Sequence, residues 1–222
     1  MNYAVILAGG KGLRIGGKTP KQFIDLNGEP MIVRTIRAFN DVEEIDGICV
    51  VCLIDYLNLL NDLVKKYSLN KVKYVCFGGD SRQESVRNSL ITLKNNGVKD
   101  DDIVLIHDCA RPFVSSQIII DNIKECKKSG AVVTAIRSTD SLLISKKGGE
   151  VDSYLDRSTV YNCQTPQTFK FSIIYEAHKD ATDNKIFDST DDASLVIRMN
   201  KKVSIVLGDS SNKKITYKED LK

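Results

Sequence analysis

Histidine is scarce in this 222-residue chain. His107 and His178 are the only two, which leaves little material for a zinc site or a Ser/His/Asp triad. Long apolar runs are missing as well. The longest, such as residues 45–54, are too short to span a bilayer, and that one contains Asp46. The first ten residues lack the basic stretch and cleavage site of a signal peptide, so the expected compartment is the cytoplasm. No charge sign dominates. Lys and Arg number 32 against 29 Asp and Glu, a net +3, and the charges are scattered apart from a basic lean at Lys213, Lys214 and Lys218. That balance gives no reason to expect a nucleic-acid partner. Repeats, low-complexity tracts and linkers are not found, so one domain over 1–222 is expected.

What is present is an ordinary globular composition, 42% hydrophobic and 27% charged. The six cysteines, Cys49, Cys52, Cys76, Cys109, Cys126 and Cys163, read as reduced thiols. Cys49 and Cys52 match a C-x-x-C spacing but lie inside an apolar strand pattern, where they face opposite sides and serve as core. Apolar runs at 3–7, 47–53, 73–76, 103–106 and 131–136 alternate with helical patterns at 31–39, 56–67, 81–95 and 116–128. That alternation predicts an α/β fold with a mostly parallel sheet covered on both faces. Residues 138–162 are polar and β-like around the turn signal Lys147-Gly148-Gly149, which suggests a hairpin protruding from the sheet. Helices at 171–179 and 191–199 and a strand at 202–207 complete the pattern.

A glycine-rich loop follows the first strand: Leu7-Ala8-Gly9-Gly10-Lys11-Gly12-Leu13-Arg14, continuing to Pro20-Lys21-Gln22. Ligands of open parallel sheets bind beyond the C-terminal strand ends, and glycines let backbone N–H groups approach phosphates. A dinucleotide G-x-G-x-x-G fails at Ile15. A P-loop, G-x-x-x-x-G-K-[ST], is matched literally by residues 12–19. Its context is wrong, because Gly12 lies past the strand end and Pro20 disfavours the helix that Thr19 should open. The remaining pattern is L-A-G-G-x-G-x-R followed by P-K-Q.

Further segments share that last pattern's company: Gly78-Gly79-Asp80-Ser81-Arg82-Gln83-Glu84-Ser85-Val86, His107-Asp108-Cys109-Ala110-Arg111-Pro112, Asp140-Ser141, Arg157, Gln164-Thr165-Pro166-Gln167, Thr190-Asp191-Asp192-Ala193-Ser194 and Asn212-Lys213-Lys214-Ile215-Thr216. With these the chain resembles, along nearly its whole length, the polyol-phosphate cytidylyltransferases. Members act on 2-C-methyl-D-erythritol 4-phosphate in isoprenoid precursor synthesis, or on D-ribitol 5-phosphate in teichoic-acid and capsule synthesis. The resemblance implies a Rossmann-like nucleotidyltransferase fold with a protruding β-arm, a homodimer formed through that arm at about 138–162, CTP and a polyol phosphate as substrates, and Mg²⁺. It assigns Ala8, Gly9, Gly10, Gly12, Gly79, Asp80 and Ser85 to the nucleotide. Arg14, Lys21 and Lys214 fall to catalysis, and Asp108 to Mg²⁺ or polyol hydroxyls. Arg111, Ser141, Arg157, Thr165 and Thr190 fall to the acceptor, with Arg157 reaching a neighbouring subunit.

The implied reaction is attack by a phosphate monoester on the α-phosphorus of CTP. The nucleophile is largely dianionic near neutrality, so no general base is required and the scarcity of histidine costs nothing. The obstacle is bringing two anions together, which calls for fixed cations. A non-catalytic nucleotide-binding regulator would not need Arg14, Lys21, Asp108 and Lys214 together. The acceptor stays open between two branches. Residues 82–86, 156–158 and 190–195 look more like the methylerythritol branch. Phe113, Tyr161 and the lack of a lysine after 140–143 look more like the ribitol branch. Ser141 departs from the threonine of both.

Overall fold

The computed structural model describes residues 1–10 and 19–221. Its frame is a seven-stranded sheet in the order β3-β2-β1-β4-β8-β5-β9. The strands are β1 (Asn2–Ala8), β2 (Gly47–Cys52), β3 (Val72–Phe77), β4 (Ile103–Asp108), β5 (Ala131–Arg137), β8 (Tyr161–Lys170) and β9 (Ser204–Leu207). All pair in parallel except β8, which runs antiparallel to both β4 and β5. The helices are α1 (Met31–Asn40), α2 (Leu57–Lys66), α3 (Arg82–Asn95), α4 (Ser116–Ser129), α5 (Phe171–Asp183) and α6 (Asp192–Arg198).

Strand alternation feeds two cores, one on each face. Ala4, Ile6 and Ala8 of β1 join Ile32, Phe39, Leu60 and Ile119 from α1, α2 and α4. Tyr3 and Val5 join Val86, Leu90, Phe171 and Leu195 from α3, α5 and α6. Cys52 and Cys49 fall on these opposite faces as their spacing requires, and both are fully buried. Helix ends follow local chemistry. Ser115 caps α4 by accepting from the Ile118 N–H at 3.3 Å. Gly130 closes it in the left-handed region at φ 82°, where a Cβ would also meet Ile173 at 2.9 Å.

The arm is present as a short antiparallel ladder, β6 (Leu143–Ile144) with β7 (Ser153–Tyr154). Two expectations need correction. Tyr161 and Asn162 belong not to the arm but to the start of β8, and β8 itself was not foreseen. This strand carries little apolar character and contains Pro166, yet it lies mid-sheet with Gln164, Thr165, Gln167 and Thr168 buried. Burying so many polar side chains is tolerable because each is bonded. Thr168 Oγ1 donates to Asn122 Oδ1 at 3.1 Å, and Gln164 Nε2 donates to the Asp209 carbonyl at 2.9 Å. Pro166 has no N–H for the ladder. The pairing with β5 shifts register at that point, and the Thr134 hydroxyl donates to the Pro166 carbonyl at 2.7 Å.

Candidate active site

A cleft of about 830 Å³ opens at the C-terminal ends of β1, β2, β3 and β4, where an open parallel sheet is expected to bind ligands. One wall is made by two glycine turns in contact. A Cβ on Gly9 would lie 3.1 Å from the Gly78 Cα, so a side chain at either position would push the loops apart. Gln22, buried just after the first loop, donates from Nε2 to the Ala8 carbonyl at 2.7 Å and to that of Gly10 at 3.1 Å. The second turn is set by the start of α3. Ser81 caps the helix by accepting from the Glu84 N–H at 3.0 Å, and the Glu84 carboxylate accepts from the Asp80 N–H at 2.8 Å. Ser85 Oγ accepts from the Gly79 N–H at 3.0 Å. Gly79 has no room for a side chain, since its Cβ would fall 2.3 Å from Glu84.

The opposite wall is ionic. Asp108, at the end of β4, pairs with Lys214 Nζ at 2.6 Å and with Arg82 Nε at 3.4 Å. Burial alone would raise the Asp108 pKa, but Arg82 and then Lys214 outweigh it and hold the carboxyl well below the usual carboxylate range. Arg82 also reaches Asp192, with Nη2 2.8 Å from Oδ2. Lys21 lines the same cleft, its Nζ 3.3 Å from the Ile215 carbonyl oxygen. The segment carrying Lys214 is stitched down on both sides. Ile215 N–H donates to the Ala110 carbonyl at 2.8 Å, and Asn212 Nδ2 donates to that of Thr165 at 2.9 Å.

Beneath Asp108 lies His107, fully buried, whose pKa is pushed down by that burial to about 4. A neutral ring settles the tautomer. Nε2 faces the Arg111 carbonyl at 3.0 Å and must carry the hydrogen, so Nδ1 accepts from the Thr165 hydroxyl at 3.1 Å. Thr165 Oγ1 in turn accepts from the Asp108 N–H at 3.1 Å. His107 thus orients the base of Asp108 and is not exposed as a proton carrier.

A family model described as 2-C-methyl-D-erythritol 4-phosphate cytidylyltransferase, IspD, matches residues 2–222. The chain belongs to this family. Among IspD relatives, a ribitol-5-phosphate cytidylyltransferase of Streptococcus agalactiae serotype III is 37% identical over 99% of this chain and 92% of its own. A 2-C-methyl-D-erythritol 4-phosphate cytidylyltransferase of Geobacillus thermodenitrificans is 41% identical over 100% and 94%. The solved 4-diphosphocytidyl-2C-methyl-D-erythritol synthase of Anaerococcus prevotii superposes with a TM-score of 0.85 at 31% identity, covering 99% of this chain and 92% of that one. As an IspD-family member the chain is a CTP-dependent cytidylyltransferase. The P-loop alternative falls, and Pro20 leads only into a single 3₁₀ turn, Lys21–Phe23, rather than a long helix.

Of the residues singled out from sequence, Ala8, Gly9, Gly10, Lys21, Gly79, Asp80, Ser85, Asp108 and Lys214 line this one cleft. Gly12 and Arg14 lie outside the described residues. The acceptor set is not gathered there. Ser141, Arg157 and Thr190 are exposed and do not line the cleft, with Arg157 Nη1 donating to the Thr139 carbonyl at 3.3 Å. Thr165 and Arg111 are engaged internally, Arg111 donating to the Asn212 carbonyl at 2.7 Å and that of Cys163 at 3.3 Å. Sequence reasoning gave no role to Gln22 or Arg82, although both sat inside quoted motifs. Of Lys213 and Lys214, only the second lines the cleft.

Proposed function

We propose that this cytidylyltransferase transfers CMP from CTP to 2-C-methyl-D-erythritol 4-phosphate, releasing pyrophosphate. One observation carries the choice of acceptor. Two of the segments that look like the methylerythritol branch, 82–86 and 190–195, interlock beside Asp108 through the Arg82–Asp192 pair at 2.8 Å. Phe113 and Tyr161, which look like the ribitol branch, do not line the cleft. Phe113 packs against the cluster of Leu26, Met31, Ala110 and Ile215, and Tyr161 lies under Arg137 at the root of the arm.

In this reading the backbone around Ala8–Gly12, together with Gly79, Asp80 and Ser85, holds the nucleotide. Lys21 and Lys214 stabilise charge at the reacting phosphates, together with Arg14. Asp108 orients the centre. Among the described residues no cluster of three His, Cys, Asp or Glu could cage a metal. Mg²⁺ asks for less: one or two carboxylates plus substrate phosphates. Asp108 meets that demand, and a bound Mg²⁺ would neutralise triphosphate charge. We place Arg157, Thr165, Ser141, Arg111 and Thr190 toward the acceptor, with the arm at about 138–160 completing the site across a homodimer.

Pyrophosphate release with CTP tests the acceptor directly. The expected result is a higher kcat/KM for 2-C-methyl-D-erythritol 4-phosphate than for D-ribitol 5-phosphate. The reverse order would establish the ribitol reading, which the Streptococcus agalactiae relative supports.

A further inference from the structure

Arg82 is the first residue of α3. A cation at that end meets the positive pole of the helix dipole, so its placement there must be stabilised by something else. Two carboxylates do so, Asp108 in the cleft and Asp192 behind it. Asp192 is 1% exposed, and an unpartnered carboxylate so deep would be very costly. It is gripped from two further sides. His178 Nε2 lies 3.1 Å from its Oδ1, and Gln167 Oε1 accepts from the backbone N–H groups of Asp192 and Ala193, both at 3.0 Å. Gln167 Nε2 also donates to Asp191 at 2.9 Å. The order of hold therefore runs from β8 and α5 through Asp192 to Arg82, and from there to Asp108. The guanidinium is shared unequally, at 2.8 Å from Asp192 and 3.4 Å from Asp108.

We propose that Asp192, clamped by His178 and Gln167, is a positioning residue that sets Arg82 against Asp108. The inference rests on the reading of Asp108 as part of the reacting centre. The test is a double-mutant cycle with Arg82→Gln, Asp192→Asn and the pair, following kcat and KM for both substrates, with CTP binding measured by calorimetry. Each single change is expected to lower kcat about 10- to 100-fold, the scale for groups that orient a functional carboxylate. In Asp192→Asn, whose changed residue does not line the cleft, CTP affinity should stay within about threefold. The double variant should be no worse than the more severe single one. A loss equal to the product of the two would overturn the proposal. Should Asp192→Asn fail to fold, His178→Gln and His178→Leu decide. Glutamine keeps an N–H donor and should restore kcat relative to leucine, and equal kcat in both would overturn it. Asp108→Asn separates the two levels. An Asp108→Asn enzyme at the wild-type rate would sink the active-site reading itself. If Asp108→Asn is inactive while the cycle is multiplicative, the positioning inference alone fails.

Discussion

The cleft wall and the arm are built from opposite kinds of contact. At the wall, Lys214 meets Asp108 across 106 residues of chain, and Asp108, Asp192 and His107 are buried. In the arm the side-chain bonds are mostly local, such as Ser145 to the Glu150 carbonyl and Ser158 to Asp156. The arm's large apolar residues lie in the open, with Val151 53% and Tyr154 68% exposed. Buried pairs between distant parts of the chain fix one geometry before any ligand arrives. Local bonds with uncovered apolar side chains define a shape whose face is still unfilled. On the proposed reading, the nucleotide half of the site rests on these buried pairs, and the acceptor half is expected to be finished by a second subunit.

The strongest way to break this comparison is to remove a cation from the wall. Lys21→Ala and Lys214→Ala are each expected to lower kcat by about 10²–10³, the scale for losing one transition-state donor. Lys18→Ala, outside the described residues, should cost far less. Wild-type-like turnover in either of the first two would remove that lysine from the chemistry. Next in size is Arg157→Ala, which should raise the acceptor KM at least about tenfold through loss of a charge-assisted contact and leave CTP affinity unchanged. If the arm acts in trans, mixing Arg157→Ala subunits with inactive Lys21→Ala subunits restores activity. Up to about half of the mixed dimers' sites should then work. No recovery after verified exchange, or light scattering showing an active monomer, would make the arm as self-contained as the wall.

The smallest expected effect is on stability. Burial holds His107 at a pKa of about 4 against an ordinary 6.5. Between those values the unfolded chain binds a proton that the folded one does not. Stability therefore falls as pH drops through that window, by at most about 1.4 kcal/mol per unit from this group. Thermal unfolding at pH 7 and pH 5 should show a shallower loss for His107→Gln, and an unchanged slope would mean that His107 is protonated in the folded state.

Elements whose burial is apolar could be read from sequence, since β1, β2, β4 and β5 are plain hydrophobic runs and the glycine turns carry their own signature. β8 could not, because four of its six buried positions are glutamine or threonine, made tolerable only by partners elsewhere in the chain. The same reason hid Arg82. Its two carboxylates lie in distant segments, and local pattern holds no trace of such a pair. Gln22 was visible as a motif letter, but its task of holding the Ala8 and Gly10 carbonyls appears only in three dimensions.

The place of β8 also bears on how the chain is made. β4 and β5 are complete by Arg137, but they are not neighbours; the strand that joins them ends at Lys170. A growing chain can assemble β3-β2-β1-β4 and must then wait for the next sixty or so residues. At about 5–20 residues per second that interval lasts on the order of several seconds. Throughout it the Ile103–Asp108 edge stands unpaired on the nascent chain, a template for any other extended segment nearby. Synthesis of this enzyme therefore leaves a central strand edge open between the fourth strand and the eighth, an interval in which a ribosome-bound chaperone has something definite to protect.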